Sequence, residues 1–368
     1  MASNTTEELK APKVVSAYTK KKAEPCDFLQ TLCFAQMDGK SQLAGKVLIM
    51  KKILVIGSTV ADVMIEIDHL PGAEEDIIPK SQKLSLGGCA YNVSNMLRLF
   101  QIPYILFSPV GTGIYGEFVK KELEKQKIRT TLLPQQENGC CYCLIDKSGN
   151  RTFMAVHGAE YQFQKEWFDQ IDKDQIDGIY VCGLEMEEPS GEEILRFLES
   201  CPNKTIYYAP GPRINSVPES RQKRLYALHP ILHLNAREAG AWLKKENKWP
   251  KEAARETPDN FTTAEVIKIA EMAAEITGNT VIVTNGEAGT VCFDLQKRQN
   301  YIIPAKVVKQ IDGTGAGDAH IGTYMACKAL GDSDLEALTL ANHVSELVVG
   351  CKGAVLSDAF FTKSFEKN

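Results

Sequence analysis

After Met50 the chain alternates between two hydrophobic periods, and that alternation restricts its fold more than any other property of the sequence. Apolar runs of strand length lie at 52–57, 104–110, 178–182, 204–209, 231–234 and 280–284. Helical spacing of apolar residues fills 91–100, 116–127, 190–199, 236–244 and 264–276. Strands separated by ten or more helical residues rejoin the sheet through right-handed crossovers, which makes them parallel and lays helices over both faces. The expectation is an α/β fold, an αβα sandwich with a mainly parallel central sheet. Two stretches break the rhythm. Residues 62–85 and 139–156 alternate with period 2, as in Val63-Met64-Ile65-Glu66-Ile67 and Arg151-Thr152-Phe153-Met154-Ala155-Val156. With no helix between their strands they do not fit a crossover sheet, and they predict a small β-sheet lid standing off the core.

Residues 1–50 show neither period and carry seven Lys against five Asp and Glu. The formal charge of −5 therefore belongs to an acidic body partly offset by a basic leader. Residues 1–49 read as an upstream extension, poorly ordered and dispensable, and 50–368 as one domain. Glu7, Glu8, Glu24 and Asp27 make the leader too acidic for an ordinary transit peptide. The acidic balance argues against nucleic acid as a partner, and no apolar run approaches the roughly 18 residues of a membrane span. The eleven Cys are odd in number, scattered, and not preceded by a secretory h-region, a pattern of free thiols in a reducing cytoplasm. Cys140-Cys141-x-Cys143 has no second pair at zinc-ligand spacing and reads as part of an apolar strand. His229 and His233 are equally weak as ligands, with no carboxylate at ligand spacing.

The sharpest local pattern is Asp312-Gly313-Thr314-Gly315-Ala316-Gly317-Asp318. Upstream, Ala305–Ile311 reads as a strand; downstream, Ile321, Tyr324, Met325 and Ala329 recur at helical spacing, so the glycines open a helix. Small residues there let backbone N–H groups converge on an anion, and the helix dipole adds positive potential. A carboxylate at that point is unhelpful to a pure phosphate cradle. Asp318 makes sense if it takes a proton from a hydroxyl that attacks a phosphoryl group, while the amides hold the transferring charge. An acidic residue capping a helix after a tight turn is the plain structural alternative. No Gly-x-x-x-x-Gly-Lys-[Ser/Thr] occurs, which excludes a P-loop kinase.

A second glycine turn, Leu86-Gly87-Gly88-Cys89-Ala90-Tyr91-Asn92, also enters a helix. Glycine permits close approach to a ligand, and Asn92 one turn later offers both a donor and an acceptor. With Asp62 after the first strand, these groups suit the vicinal hydroxyls of a polyol. Taken together, the two glycine segments resemble the pfkB family of carbohydrate kinases within the ribokinase-like superfamily. Its signatures are a Gly-Gly pair with Asn four positions on, and Asp-x-x-Gly-Ala-Gly-Asp; both occur here in order, about 220 residues apart. The resemblance spans residues 51–360 and implies a ribokinase-like αβα sandwich with a small β lid.

The resemblance also implies roles. Asp318 matches the catalytic base, and Gly315, Ala316 and Gly317 the anion hole. Asp62, Gly87, Gly88 and Asn92 match the sugar side. Asn235-Ala236-Arg237-Glu238 matches an Asn-x-x-Glu motif that handles Mg²⁺ and phosphate, though the same pattern is a helix capping box. Thr284, Gly286 and Gly289 match a loop near the nucleotide phosphates, and Asn342 and Gly353 the adenine pocket. Asp312 and Ser357 fall where ribokinase-like members bind K⁺. The family's Asp-x-Asn-x-Arg is replaced by Ala209-Pro210-Gly211-Pro212-Arg213, which speaks against a fructokinase or ketodeoxygluconate kinase. Tyr91 replaces a small residue and is either a stacking surface for a ring or a residue packed under the lid. Lys80 and Lys83 suit a phosphorylated sugar or an edge guarded by charge.

Two other readings compete. Gly111-Thr112-Gly113-Ile114-Tyr115-Gly116 spells the dinucleotide fingerprint, with Glu137 about twenty residues on, as in an NAD-dependent dehydrogenase. The same segment fits a Val-Gly-x-Asp-x-x-Gly loop of the kinase family with Gly113 in place of Asp. A non-catalytic sugar or nucleoside sensor on the same fold is the other rival. The expected activity is Mg²⁺-dependent transfer of the ATP γ-phosphoryl group to a primary hydroxyl of a sugar or nucleoside, in a cytoplasmic homodimer paired through the lid.

Overall fold

In chain order the strands are β1 (Lys13–Ser16), β2 (Gln42–Leu43), β3 (Lys46–Val47), β4 (Lys52–Ile56), β5 (Val60–Glu66), β6 (Ser81–Gly87), β7 (Tyr104–Phe107), β8 (Cys140–Ile145), β9 (Arg151–Val156), β10 (Ile176–Cys182), β11 (Thr205–Ala209), β12 (Ile231–Asn235), β13 (Val281–Thr284), β14 (Thr290–Asp294) and β15 (Gln299–Ile303). The computed structural model describes residues 13–16, 42–43, 46–47, 50–130, 132–149, 151–249 and 261–366. Among these, nine strands form one sheet in the order β1-β15-β14-β13-β12-β11-β10-β4-β7. From β7 through β13 all neighbours are parallel, whereas β14 runs antiparallel to both β13 and β15.

Burial explains why the strands read as unbroken apolar runs. In β4, Ile53 and Val55 enter one core and Leu54 and Ile56 the other. In β10, Tyr180 and Cys182 face the first core, Ile179 and Val181 the second. A strand covered on both faces has no polar side to alternate with. Helices Cys89–Leu99, Gly113–Lys125, Ala316–Leu330 and Asp334–Val349 cover the first face. Gly191–Glu199, Ala236–Lys245 and Thr263–Thr277 cover the second. The six strands and five helices expected between residues 52 and 284 are present, with ends shifted by a few residues.

The two period-2 stretches form a separate four-stranded sheet, β6-β5-β8-β9. Within it β5 pairs antiparallel with β6 and parallel with β8, and β9 closes the far edge antiparallel to β8. Cys140, Cys141 and Cys143 lie on β8 and their thiols are free. One expectation fails: Ala305–Ile311 is an irregular loop, not a strand. The strand before the glycine turn is β15, which stops at Ile303 where Pro304 removes the N–H that a ladder needs.

Within the leader, β1 adds in parallel to β15 (Lys13 opposite Gln299, Ser16 opposite Ile302), and β2 pairs with β3. The poor order expected of the remaining leader residues falls outside the described residues.

Candidate active site

The C-terminal ends of β4, β10, β12 and β13 converge on one rim of the central sheet, where open α/β folds place their ligands. Across that rim lies the turn at 312–318. Asp312 is buried, and its carboxylate accepts from the amides of Thr314 at 2.9 Å and Gly353 at 3.0 Å. Gly315 caps the Ala316–Leu330 helix with φ 76°, and a Cβ there would lie 2.3 Å from the Ala354 carbonyl oxygen. Glycine is therefore required twice over, by backbone conformation and by space. Gly317 is exposed with open space beside it; the Ala316 amide donates to the Gly313 carbonyl at 3.4 Å, while the next amides of the first turn have no intrahelical acceptor and are available to a ligand.

Asp318 stands in the first turn of that helix. Asn92 Nδ2 donates to its Oδ2 at 2.8 Å, bringing together the two glycine segments across 226 residues. Burial pushes the Asp318 carboxyl up to about 6, against hydrogen bonds from Asn92 and Cys89 that pull it down. Asn92 itself is buried, and its Oδ1 has no hydrogen-bond partner among the described residues. Asp62 on β5 packs against the same turn: a Cβ on Gly87 would lie 2.0 Å from Asp62 Oδ2, so only glycine leaves room for this carboxyl. Asp62 is pushed up to about 7, first by burial and then by the charges of Asp318 and Asp312. Gly88 caps the Cys89–Leu99 helix.

On the phosphate side, Asn235 and Glu238 form a reciprocal capping box at the start of Ala236–Lys245. Glu238 is pushed up to about 7 by burial, and the Asp318 charge adds to the rise. Both the capping and the functional interpretation of this motif thus rest on the same side chain. Thr284, Gly286, Gly289 and Asn342 line a groove of about 200 Å³ that Ala316, Gly317 and His320 close from the other side. Asn342 is engaged within the protein: its Oδ1 accepts from Thr290 Oγ1 at 2.6 Å and its Nδ2 donates to the Ile303 carbonyl at 3.1 Å. Ser357 precedes the Asp358–Glu366 helix, and its hydroxyl accepts from the Phe360 amide at 3.3 Å.

Several residues of the site escaped the sequence patterns. Arg151, on lid strand β9, reaches Asp312 Oδ1 at 2.9 Å; the side chains are 15% and 1% exposed, so this ion pair is sheltered from water. Its signal was present only as a basic residue opening a period-2 strand. Glu185 is fully buried behind the site and accepts from the Ser58 amide at 2.6 Å. His320 lines the groove, its Nδ1 3.1 Å from His233 Nε2 and its Nε2 3.1 Å from Asn342 Oδ1, and burial drives its imidazole down to about 4, so it is neutral. Tyr91 packs in the core and donates to Gln126 at 2.9 Å, which removes it as a stacking surface. Lys80 pairs with Asp68 on the exposed lid edge. Glu137 bridges back to Thr112 beside the glycines at 111–116 and does not end a neighbouring strand, unlike the acidic residue of a dinucleotide fold.

Residues 50–359 match the pfkB family carbohydrate kinase profile. The chain belongs to the pfkB family. Among its relatives, "Uncharacterized sugar kinase YegV" of Escherichia coli (strain K12) is 29% identical over 82% of this chain and 90% of its own length. An "ATP-dependent ribose-1-phosphate kinase" of Halopiger xanaduensis is 24% identical over 83% of this chain and 94% of its own. A ribokinase crystal structure from Thermotoga maritima superposes with a TM-score of 0.70 at 20% identity, covering 86% of this chain and all of that one. The fold is ribokinase-like, with the large, mostly parallel sheet and the small second sheet that the pfkB family resemblance implied. No described helix is long and apolar enough to cross a membrane.

Proposed function

We propose that this pfkB protein is an ATP-dependent kinase that phosphorylates a primary hydroxyl of a sugar or nucleoside, with Asp318 as general base. The observation that carries the reading is the placement of Asp318. It joins the amide-lined helix start on one side and, through Asn92, the polyol-suited residues Asp62, Gly87 and Gly88 on the other. A base in that position takes the proton of the acceptor hydroxyl as its oxygen bonds to the γ-phosphorus and the bond to the bridging oxygen breaks, releasing ADP. A carboxyl near 6 is largely ionised at neutral pH and more basic than an ordinary aspartate. The Gly315–Asp318 amides hold the developing phosphoryl charge.

The donor set also fits Mg²⁺ held indirectly. Among the described residues no group of three or more His, Cys, Asp or Glu converges on a metal point, so the ion would lie on phosphate oxygens and water, with Glu238 receiving the water. When bound, Mg²⁺ neutralises phosphate charge. K⁺ near Asp312 and Ser357 stays a proposal, and Arg151 already supplies Asp312 with a cation. The lid, tied to the glycine turn by that pair, excludes water from the transfer. Its edge strand β9 carries exposed Phe153 on one face and exposed Met154 and Val156 on the other, which supports a homodimer through the lid.

The test is an ADP-release screen over neutral and phosphorylated sugars and nucleosides, with and without K⁺. With the best acceptor, Asp318→Asn should lower kcat on the order of 10²-fold or more while ATP binding is kept. Near wild-type kcat in that variant would remove Asp318 from the mechanism.

A further inference from the structure

The β8–β9 half of the lid leaves and rejoins the body at two glycines. The ladder between the two strands ends at Cys140 opposite Val156. Past it the backbones touch: a Cβ on Gly139 would lie 1.8 Å from the Val156 carbonyl oxygen, and one on Gly158 2.2 Å from the Gly139 nitrogen. Neither position carries a side chain that could set the angle of this crossing by packing. A buried carboxylate holds it instead. Glu160 is fully buried; its Oε2 accepts from the Gly139 amide at 2.8 Å and its Oε1 from the Gly158 amide at 3.1 Å. The turn that bears it, Ala159–Tyr161, is buried throughout and fixed to the body. The Ala159 amide donates to the Glu137 carbonyl at 2.9 Å, and the Tyr161 carbonyl accepts from Ser190 Oγ at 2.8 Å. On the other leg, Asn138 Oδ1 accepts from the Gly111 amide at 2.9 Å.

The far end of the same strand meets a second carboxylate. Val156 ends β9 at the root, whereas Arg151 opens it and reaches Asp312 of the glycine turn at 2.9 Å. β9 is an edge strand, so no further strand supports it on its outer side. At about 3.4 Å per residue it is a lever of about 17 Å, and a tilt of about 10° at its root moves Arg151 by about 3 Å, enough to part that pair. We propose that Glu160 is a positioning residue for the lid, setting the angle of the β8–β9 hairpin at which Arg151 meets Asp312. A carboxylate suits the task because both of its oxygens accept and both groups they face donate. An amide in its place would turn an N–H towards one of the two.

The use of the closed lid in turnover rests on the kinase reading, so the first arm of the test needs no turnover. Glu160→Gln is compared with wild type by hydrogen exchange, after thermal melts verify that it folds. Exchange over residues 139–158 should quicken about tenfold, while that of β10 and β11 stays as it was. Unchanged exchange in the lid, or an equal rise throughout the protein, would overturn the proposal. If Glu160→Gln does not fold, Glu160→Asp takes its place with the same expected outcome, because the shorter carboxylate reaches only one of the two amides. The second arm is kinetic. Glu160→Gln should raise ATP hydrolysis without acceptor and lower kcat/KM for the acceptor about fivefold, with the KM for ATP within roughly twofold. In an Arg151→Ala background the same change should add less than about twofold, since the two side chains hold one strand. A full, independent loss in that background would overturn the link between root and far end. Quickened lid exchange in a protein that turns over no sugar or nucleoside would overturn the kinase reading alone and leave the anchor at Glu160 standing.

Discussion

Asp318 and Asp62 share one pocket and carry different consequences of the same burial. As the proposed base Asp318 must be ionised to act, and with its carboxyl near 6 in the free protein, kcat/KM for the acceptor should climb with pH through about 6 and level off above it. A kcat/KM profile measured at subsaturating acceptor checks this; a flat profile from pH 5 to 8 would count against Asp318 as the base. Asp62, pushed up to about 7 from an ordinary 3.8, binds its proton more tightly folded than unfolded. Its contribution therefore favours folding below about pH 4 and is lost as pH rises through 7. Asp62→Asn should stabilise the protein at pH 8 by roughly 1–2 kcal/mol, a value discounted for partial exposure, and should add nothing at pH 4. Thermal melts at the two pH values distinguish this from a pH-independent packing effect. The same variant should raise the acceptor KM. The residue types of this pocket were readable from the sequence, since carboxylates beside glycine turns are an unusual pattern. Their mutual coupling was not, because it depends on distances between segments remote in sequence.

The glycine turn and the lid are joined by Arg151 and Asp312, and under the proposed function this contact brings the lid into the active site. Arg151→Ala should loosen closure, lowering kcat/KM for the acceptor roughly tenfold and raising ATP hydrolysis without acceptor. Arg151→Lys should rescue this only in part, because Arg151 Nη2 meets Asp312 Oδ1 from a planar fork that an ammonium cannot copy. Equal uncoupled hydrolysis in wild type and Arg151→Ala would dismiss the role. Gly315→Ala should be more severe. It forces a Cβ at φ 76° against the Ala354 carbonyl, displacing the first-turn amides to which the proposed function assigns the phosphoryl charge. Helix starts, the two-face strands and the lid's period-2 pattern all follow from near neighbours in the chain, and these were legible. The Ala305–Ile311 segment was not. Its apolar residues match a strand, yet Val307 and Ile311 are exposed, and the loop lies along the groove instead of extending the sheet.

The 50–368 body contains every residue assigned to the reaction, whereas β1 pairs with the outer edge of β15 over four residues. A chain starting at Met50 should retain kcat and KM, with any fall in melting temperature confined to a few degrees, as loss of a short edge strand implies. Lost activity would give the leader a role in the site, whose groove wall continues directly from β15 through Ala305. The lid face offers a parallel test of assembly. Phe153, Met154 and Val156 are each more than half exposed on one strand. Replacing Phe153 and Met154 with Glu should convert a dimer to monomers in light scattering, and an unchanged mass would place any interface elsewhere.

The order of strands and helices, the two-layer cover of the sheet, the lid and both glycine turns follow from patterns a few residues long, where local periodicity and backbone freedom dominate. For that reason the ribokinase-like fold and the placement of Asp318 and Asn92 in the first turns of two helices could be read from the chain alone. Contacts between remote segments follow no such rule. The Asn92–Asp318 bond, the Arg151–Asp312 pair and the Ser58–Glu185 bond exist because packing brings together rims of different strands. Burial in that assembled rim, absent from any single segment, is what raises the carboxyls into a range useful for catalysis.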